Sequence, residues 1–264
     1  MAKERRSVLR RALHILDTCK DAEGGLSLSE LSRRSGVPLT TTHRIVAELH
    51  EWGALERDDS GDYLIGLRLW EVAALAPRSV GLQRVALPFM QDLFETTHRG
   101  VHLAVREKDE VVFVERFVSP ETAGDRPRVG GRYPMHATAV GLVLLANAPP
   151  ELQEEVISRP LVSYTSRTYS SERELRQVLA EVRRSGYAIS DRQINPEYAS
   201  VAAPIYGPGN TVVAALSLIV PYTESHGPNL AHLVQASARG ISRALGARTR
   251  QIHPHPPSDM RKSR

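Results

Sequence analysis

Thr40, Thr41, His43 and Arg44 bring two hydroxyls, an imidazole and a guanidinium into five consecutive positions. Hydroxyls and helix amides hold phosphate oxygens, and a guanidinium grips guanine through two parallel hydrogen bonds. Arg33, Arg34 and Arg57 add cations suited to a sugar–phosphate backbone. This is the chemistry of recognition, not turnover. For catalysis the chain offers little: no G-x-S-x-G elbow, no H-E-x-x-H and no phosphate-cradling loop. No catalytic residue is assigned, and an enzyme is kept only as the second hypothesis. His98 and His102 are spaced i, i+4, but the helical pattern ends before His102. His226 with His232, and His253 with His255, are equally weak metal pairs, so no metal site is expected. Cys19 is the sole cysteine, which excludes an intrachain disulfide and a thiolate cluster.

These side chains need an element to present them. At about 100° per residue, Thr42, Ile45, Val46, Leu49 and Trp52 gather on one side of a helix ending at Gly53. Thr40, His43, Arg44, Ala47 and Glu51 gather on the other. The first side packs on two preceding helices. One carries the stripe Val8, Ala12, Ile15, Leu16, Cys19. The next starts at the capping-box pattern Ser27-x-x-Glu30 and stops at Gly36. A hairpin over Arg57 to Ile65 follows, turning at Asp59-Ser60-Gly61. Residues 7–66 therefore read as a winged helix-turn-helix. The small, polar outer face of its third helix suits a major groove. A three-helix protein-interaction module with the same packing remains the alternative.

Beyond it, residues 67–77 read as an amphipathic linker helix stopping at Pro77. Leu67, Leu69, Trp70, Val72, Ala73 and Leu75 make it too apolar to lie free in water. Residues 78–247 read as an α+β domain. Helices are expected over Val80–Thr97, Thr138–Ala146, Ser171–Ser185 and Asn229–Leu245. Strands are expected over Val101–Val105, Val111–Val118, Tyr187–Ser190, Val201–Tyr206 and Val212–Val220, mostly joined as hairpins into an antiparallel sheet. The Gly130-Gly131 turn leads through Met135 to a helix start at Thr138, where exposed amides favour a carboxylate.

The 264 residues favour two domains, and 41% apolar content suffices for ordinary cores. The net charge of +4 is unevenly spread. Residues 1–11 and 246–264 each carry +4, leaving −4 between them. An N-terminal basic arm beside a DNA reader can contact phosphate or enter a minor groove. Residues 248–264, with Pro254, Pro256 and Pro257, read as a basic disordered tail. No apolar run reaches the roughly 18 to 20 residues needed to cross a bilayer, and the basic start leads into no secretory apolar segment. A cytoplasmic protein without membrane partners is expected.

The chain resembles the isocitrate lyase regulator (IclR) family. In the first module the resemblance rests on Arg11-Ala12-Leu13, Ile15-Leu16, Leu28-Ser29-Glu30-Leu31, Gly36-Val37-Pro38, Thr41-Thr42-x-Arg44, Leu49, Gly53, Leu55 and Tyr63-Leu64-Ile65-Gly66. In the second it rests on the run from Gly131 to Gly141, on Gly186-Tyr187, on Ser200-Val201-Ala202-Ala203-Pro204 and on Ala214-Ala215-Leu216-Ser217. It covers about residues 7–247. The resemblance implies a GAF/profilin-like effector domain and a transcriptional repressor of a metabolic operon, with activation the other sign. It implies a homodimer or homotetramer on double-stranded operator DNA and a small organic-acid effector, with no other cofactor. Carried over, Ala137, Thr138, Ala139, Val140, Asp191, Ser200 and Ser217 would bind the effector, and Met135 and His136 are weaker candidates. Leu142 stands where many members have lysine, and Ser200 where several have cysteine, so the ligand's identity is left open. A binding or assembly module without DNA recognition is the third hypothesis.

Overall fold

The computed structural model describes residues 7–247, apart from 23, 123, 125–126 and 225–226. The basic arm up to Arg6, the tail expected over 248–264, and His226, His253 and His255 lie outside the described residues. The chain forms two compact units, residues 1–80 and 81–264.

The first unit holds helices α1 (Val8–Thr18), α2 (Leu28–Ser35) and α3 (Leu39–Trp52). Strands β1 (Leu55–Arg57) and β2 (Tyr63–Ile65) pair antiparallel, with Leu26 bridging to Tyr63. Ser7 and Ser27 cap the first two helices by accepting from Arg10 N and Glu30 N, each at 3.2 Å. Gly36 and Gly53 end α2 and α3 in the left-handed conformation. Ile15, Leu31, Ile45, Val46, Leu55 and Tyr63 close one core. Two sequence expectations shift here. The Glu30 carboxylate does not complete the capping box but takes hydrogen bonds from Arg33 and Arg34. Trp52 lies outside the core, 43% exposed, with the Arg68 guanidinium stacked 4.9 Å from its ring centre.

Helix α4 (Leu67–Ala73) follows at once. Pro77 does not stop a helix but opens α5 (Pro77–Thr97), because its fixed φ suits a first helical position. The boundary between the units falls within α5. The second unit then runs β3 (Gly100–Glu107), β4 (Glu110–Phe117), β5 (Arg132–Pro134), α6 (Ala139–Ala146), α7 (Pro150–Ile157), α8 (Glu172–Ser185), β6 (Ala188–Asp191), β7 (Tyr198–Tyr206), β8 (Val212–Pro221) and α9 (Gly227–Ala244). Six strands make one antiparallel sheet in the order β5-β4-β3-β8-β7-β6.

Side chains alternate across the pleat and build two cores. Leu103, Leu216, Leu218, Ala203 and Ile205 pack on one face with α5 and α9. Ala104, Ala215, Ala202 and Ala188 lie on the other, beneath α6, α7 and α8. The alanines on that second face let α6, buried along its whole length, lie close to the sheet. Helix α7 and strand β5 had no counterpart in the sequence reading.

Candidate functional site

In the first unit α3 turns Thr40, His43, Arg44, Ala47 and Glu51 outward, all exposed, while Thr42, Ile45 and Val46 are buried. Thr42 Oγ1 donates to the carbonyls of Val37 and Pro38, at 3.1 and 3.2 Å, which fixes the start of the helix. Among the described residues no side chain caps α3; Thr41 N and Thr42 N bond to Pro38 O, while the amides of Leu39 and Thr40 have no acceptor and can meet phosphate. Among the described residues nothing engages the Arg44 guanidinium. Arg33 and Arg34 sit differently. Both bind Glu30, with their closest contacts at 2.6 Å, and Arg33 and Arg34 together hold that carboxyl down at a pKa of about 2. On the wing, Arg57 donates to the Tyr63 hydroxyl and stacks on its ring, 4.6 Å from the centroid. Asp58 Oδ1 ties the wing turn by accepting from Ser60 N, Ser60 Oγ and Asp62 N.

The second unit contains a pocket, partly open to solvent, between the sheet and the segment leading into α6. The floor comes from four neighbouring strands. Ser190 faces Ser200 across β6 and β7, Ser200 faces Ile219 across β7 and β8, and Ser217 faces His102 across β8 and β3. Phe113 and Tyr133 add an aromatic wall, edge to face at 5.6 Å, and His102 stands edge-on to Phe113 at 5.3 Å. Burial, with the nearby Arg116 adding to it, drives the His102 pKa down to about 3, so the ring is neutral near pH 7. Tyr198, Gln193, Ile194 and Asn195 complete the rim. Among the described lining residues none carries a charge.

The roof is the N-terminus of α6. Thr138 caps it, its Oγ1 accepting from Gly141 N at 3.0 Å. Leu142 N bonds to Thr138 O, while the amides of Ala139 and Val140 have no acceptor among the described residues. Ser190 Oγ donates to Ala137 O at 3.1 Å and pins this segment to the sheet. At Gly141 an added Cβ would lie 2.4 Å from Met135 O, so only glycine lets the helix start against that turn.

Of the effector positions carried over by resemblance, Ala137, Thr138, Ala139, Val140, Ser200 and Ser217 line this cavity. Asp191 does not. It lies one residue past Ser190 and so falls on the opposite side of the strand, accepting from Arg192 Nε at 2.8 Å and pairing with Arg167 at 3.0 Å. Met135 is buried in the core, and His136 Nε2 bonds to Val162 O at 2.9 Å; neither lines the cavity. Leu142 is a core residue. Sequence reasoning missed His102, Phe113, Tyr133, Ser190, Gln193 and Tyr198. The period-two pattern hinted at Ser217 with Ile219 and at Tyr198 with Ser200. The strand register that adds His102 left no local signal.

A winged helix-turn-helix with an open reading face, in one chain with a sheet domain built around an uncharged cavity, defines a ligand-responsive transcription regulator. The comparisons fix the family. Residues 8–59 match the IclR helix-turn-helix domain, and residues 75–243 match the C-terminal domain of bacterial IclR transcriptional regulators. The chain belongs to the IclR family. It is 32% identical to the HTH-type transcriptional regulator KipR of Bacillus subtilis, over 84% of this chain and 90% of that one. It is 26% identical to the transcriptional repressor IclR of Escherichia coli, over 90% and 89%. Among solved structures it resembles an IclR homolog complexed with 4-hydroxybenzoate, from Microbacterium hydrocarbonoxydans. There the identity is 36%, the TM-score 0.85 and the coverage 90% of this chain and 99% of that one.

Proposed function

We propose that this regulator binds an operator as a symmetric homo-oligomer, by default as a repressor of a metabolic operon in the cytoplasm, and that a small organic acid in the second unit controls its occupancy. The observation that carries the DNA reading is the outer face of α3, exposed from Thr40 to Glu51 around an unengaged Arg44. Arg44 reads base edges, Thr40 and Thr41 hold phosphate, and His43 does either. Arg33, Arg34 and Arg57 meet the backbone after exchanging their present partners for phosphate.

The acid's carboxylate sits against the free amides of Ala139 and Val140, where the helix dipole replaces a cationic side chain. Ser200, Ser217 and Ala137 surround it, and an aromatic ring is accommodated by Phe113 and Tyr133. The bound 4-hydroxybenzoate of the Microbacterium homolog supports an acid of this class. Binding controls transcription only through a difference in affinity between the operator-competent state and the other.

The test measures binding to the chain's own upstream DNA and to scrambled DNA, at two salt concentrations, with and without candidate acids. Selective binding that an acid changes supports the proposal. Equal binding to both DNAs at either salt, indifferent to every acid, overturns it.

A further inference from the structure

Among the described residues no charged side chain lines the pocket, yet one ends the row of side chains that forms its floor. Ala202, Ser217, His102 and Arg116 lie opposite one another on β7, β8, β3 and β4, in that order across the sheet. Opposed residues of paired strands point to the same face. Ser217 and His102 line the pocket, so Arg116 points to that side too. Its neighbours on β4 agree. Glu115 accepts from Gln83 of α5, and Phe117 packs on Phe94 of α5, ring centres 5.5 Å apart, both on the other face.

The Arg116 guanidinium is half-buried and poorly matched. Nη1 donates to the carbonyl of Pro127, a lining residue. Nε is closed off from solvent and has no acceptor among the described residues. No described carboxylate pairs with it. Glu115, next in the chain, accepts only from the Arg116 backbone amide, at 2.8 Å. The charge is nevertheless felt in the pocket, where it disfavours protonation of His102. A shielded cation without a counter-ion costs the fold stability, so its counter-ion is to be sought outside the chain.

We propose that Arg116 is the residue that makes this pocket select anions: its fixed charge, set behind the uncharged lining, attracts the effector's carboxylate and disfavours neutral analogues. No contact is required, because Coulomb attraction falls only as the inverse of distance. Ser217 is two strand spacings away, roughly 10 Å, and over that distance a unit charge in a protein interior changes affinity by about tenfold. The free amides of Ala139 and Val140 orient the carboxylate, and Arg116 supplies the net charge that backbone dipoles lack. This inference rests on the acid-effector reading above.

The test is calorimetric titration of the full chain with benzoate, 4-hydroxybenzoate and butyrate, each beside its neutral carboxamide. It is repeated on Arg116→Gln and Arg116→Lys. Both replacements can still donate to the Pro127 carbonyl, but only lysine keeps the charge. At least one acid should bind the unaltered chain about tenfold or more tighter than its amide. Arg116→Gln should lower that ratio by about tenfold through the acid alone, while Arg116→Lys stays within about threefold of the unaltered chain. A ratio unchanged in Arg116→Gln, or lost equally in Arg116→Lys, would sink the inference and leave the acid-effector reading standing. So would acid and amide weakening together, which marks a structural role. An Arg116→Gln chain that does not fold, judged by its melting transition, would show the charge to be spent on the fold and would also sink it. Amides binding as tightly as their acids, or no acid binding at millimolar concentration, would overturn both.

Discussion

At the scale of single residues, charge placement decides what the reading face can do. Arg44 is unengaged, so Arg44→Ala should weaken operator binding by about 1–3 kcal/mol while leaving scrambled DNA little changed, as followed by fluorescence anisotropy. Glu30 works in the opposite sense, because it already neutralises Arg33 and Arg34. Glu30→Gln should therefore tighten binding to operator and scrambled DNA alike and steepen the salt dependence by about one released counterion. An unchanged slope would mean that neither arginine reaches phosphate. His102 links the cavity to pH. Its folded pKa of about 3 lies below the ordinary 6.5. Between those values the unfolded chain holds a proton that the folded chain does not. His102 therefore makes stability fall as pH drops through that window, by up to about 1.4 kcal/mol per pH unit, and adds no dependence above it. Urea unfolding at pH 7 and pH 5 should show a larger loss in the unaltered chain than in His102→Asn. Equal losses would place the pH sensitivity elsewhere.

At the scale of elements, the two functional helices begin in opposite ways. Among the described residues helix α3 has no side-chain cap, whereas α6 is capped by Thr138 inside the domain. Thr138→Ala should cost about 0.5–2 kcal/mol of stability by thermal or urea unfolding. Gly141→Ala should cost more and also weaken acid binding, because its Cβ would push against Met135 O and Thr138 Oγ1, the segment that roofs the cavity. An alanine variant with unchanged melting and acid affinity would mean that this turn yields freely. The start of α6 was legible because threonine is a favoured N-cap and the apolar run after it is long enough for a helix. Helix α7 was not, since Pro149-Pro150 reads first as a break, and an eight-residue helix carries little periodicity of its own. The inward assignment of Trp52 failed because periodicity gives direction but not the extent of the core. Trp52 is the last residue of α3 and stays 43% exposed, with the Arg68 guanidinium stacked on the indole instead.

At the scale of the whole molecule, the exposed surface of α4 argues for assembly. Leu67 is 61% exposed, Trp70 66%, Val72 55% and Leu75, just beyond the helix, 81%. So many large apolar groups on one short stretch mark an interaction surface. A second copy of the chain is the partner proposed for it, since a two-fold pair matches a palindromic operator. Trp70→Asp should shift the mass measured by light scattering towards the monomer and reduce operator binding together with it. Retention of the dimer would move the interface elsewhere.

From the sequence by itself the reading head was legible locally, because the two faces of the recognition helix and the glycine that ends it follow from a 3.6-residue repeat. The sequence also marked five of the six strands of the large sheet and the start of α6, flagged by glycine and threonine. Only the tertiary structure decided the cavity. Ser190, Ser200, Ser217, Ile219 and His102 come from four strands spread over more than a hundred residues, and they meet through register, which no single strand encodes. A shift of one residue turns a side chain to the other face of a sheet, and that step separates Ser190, which lines the cavity, from Asp191, which is spent on Arg192 and Arg167.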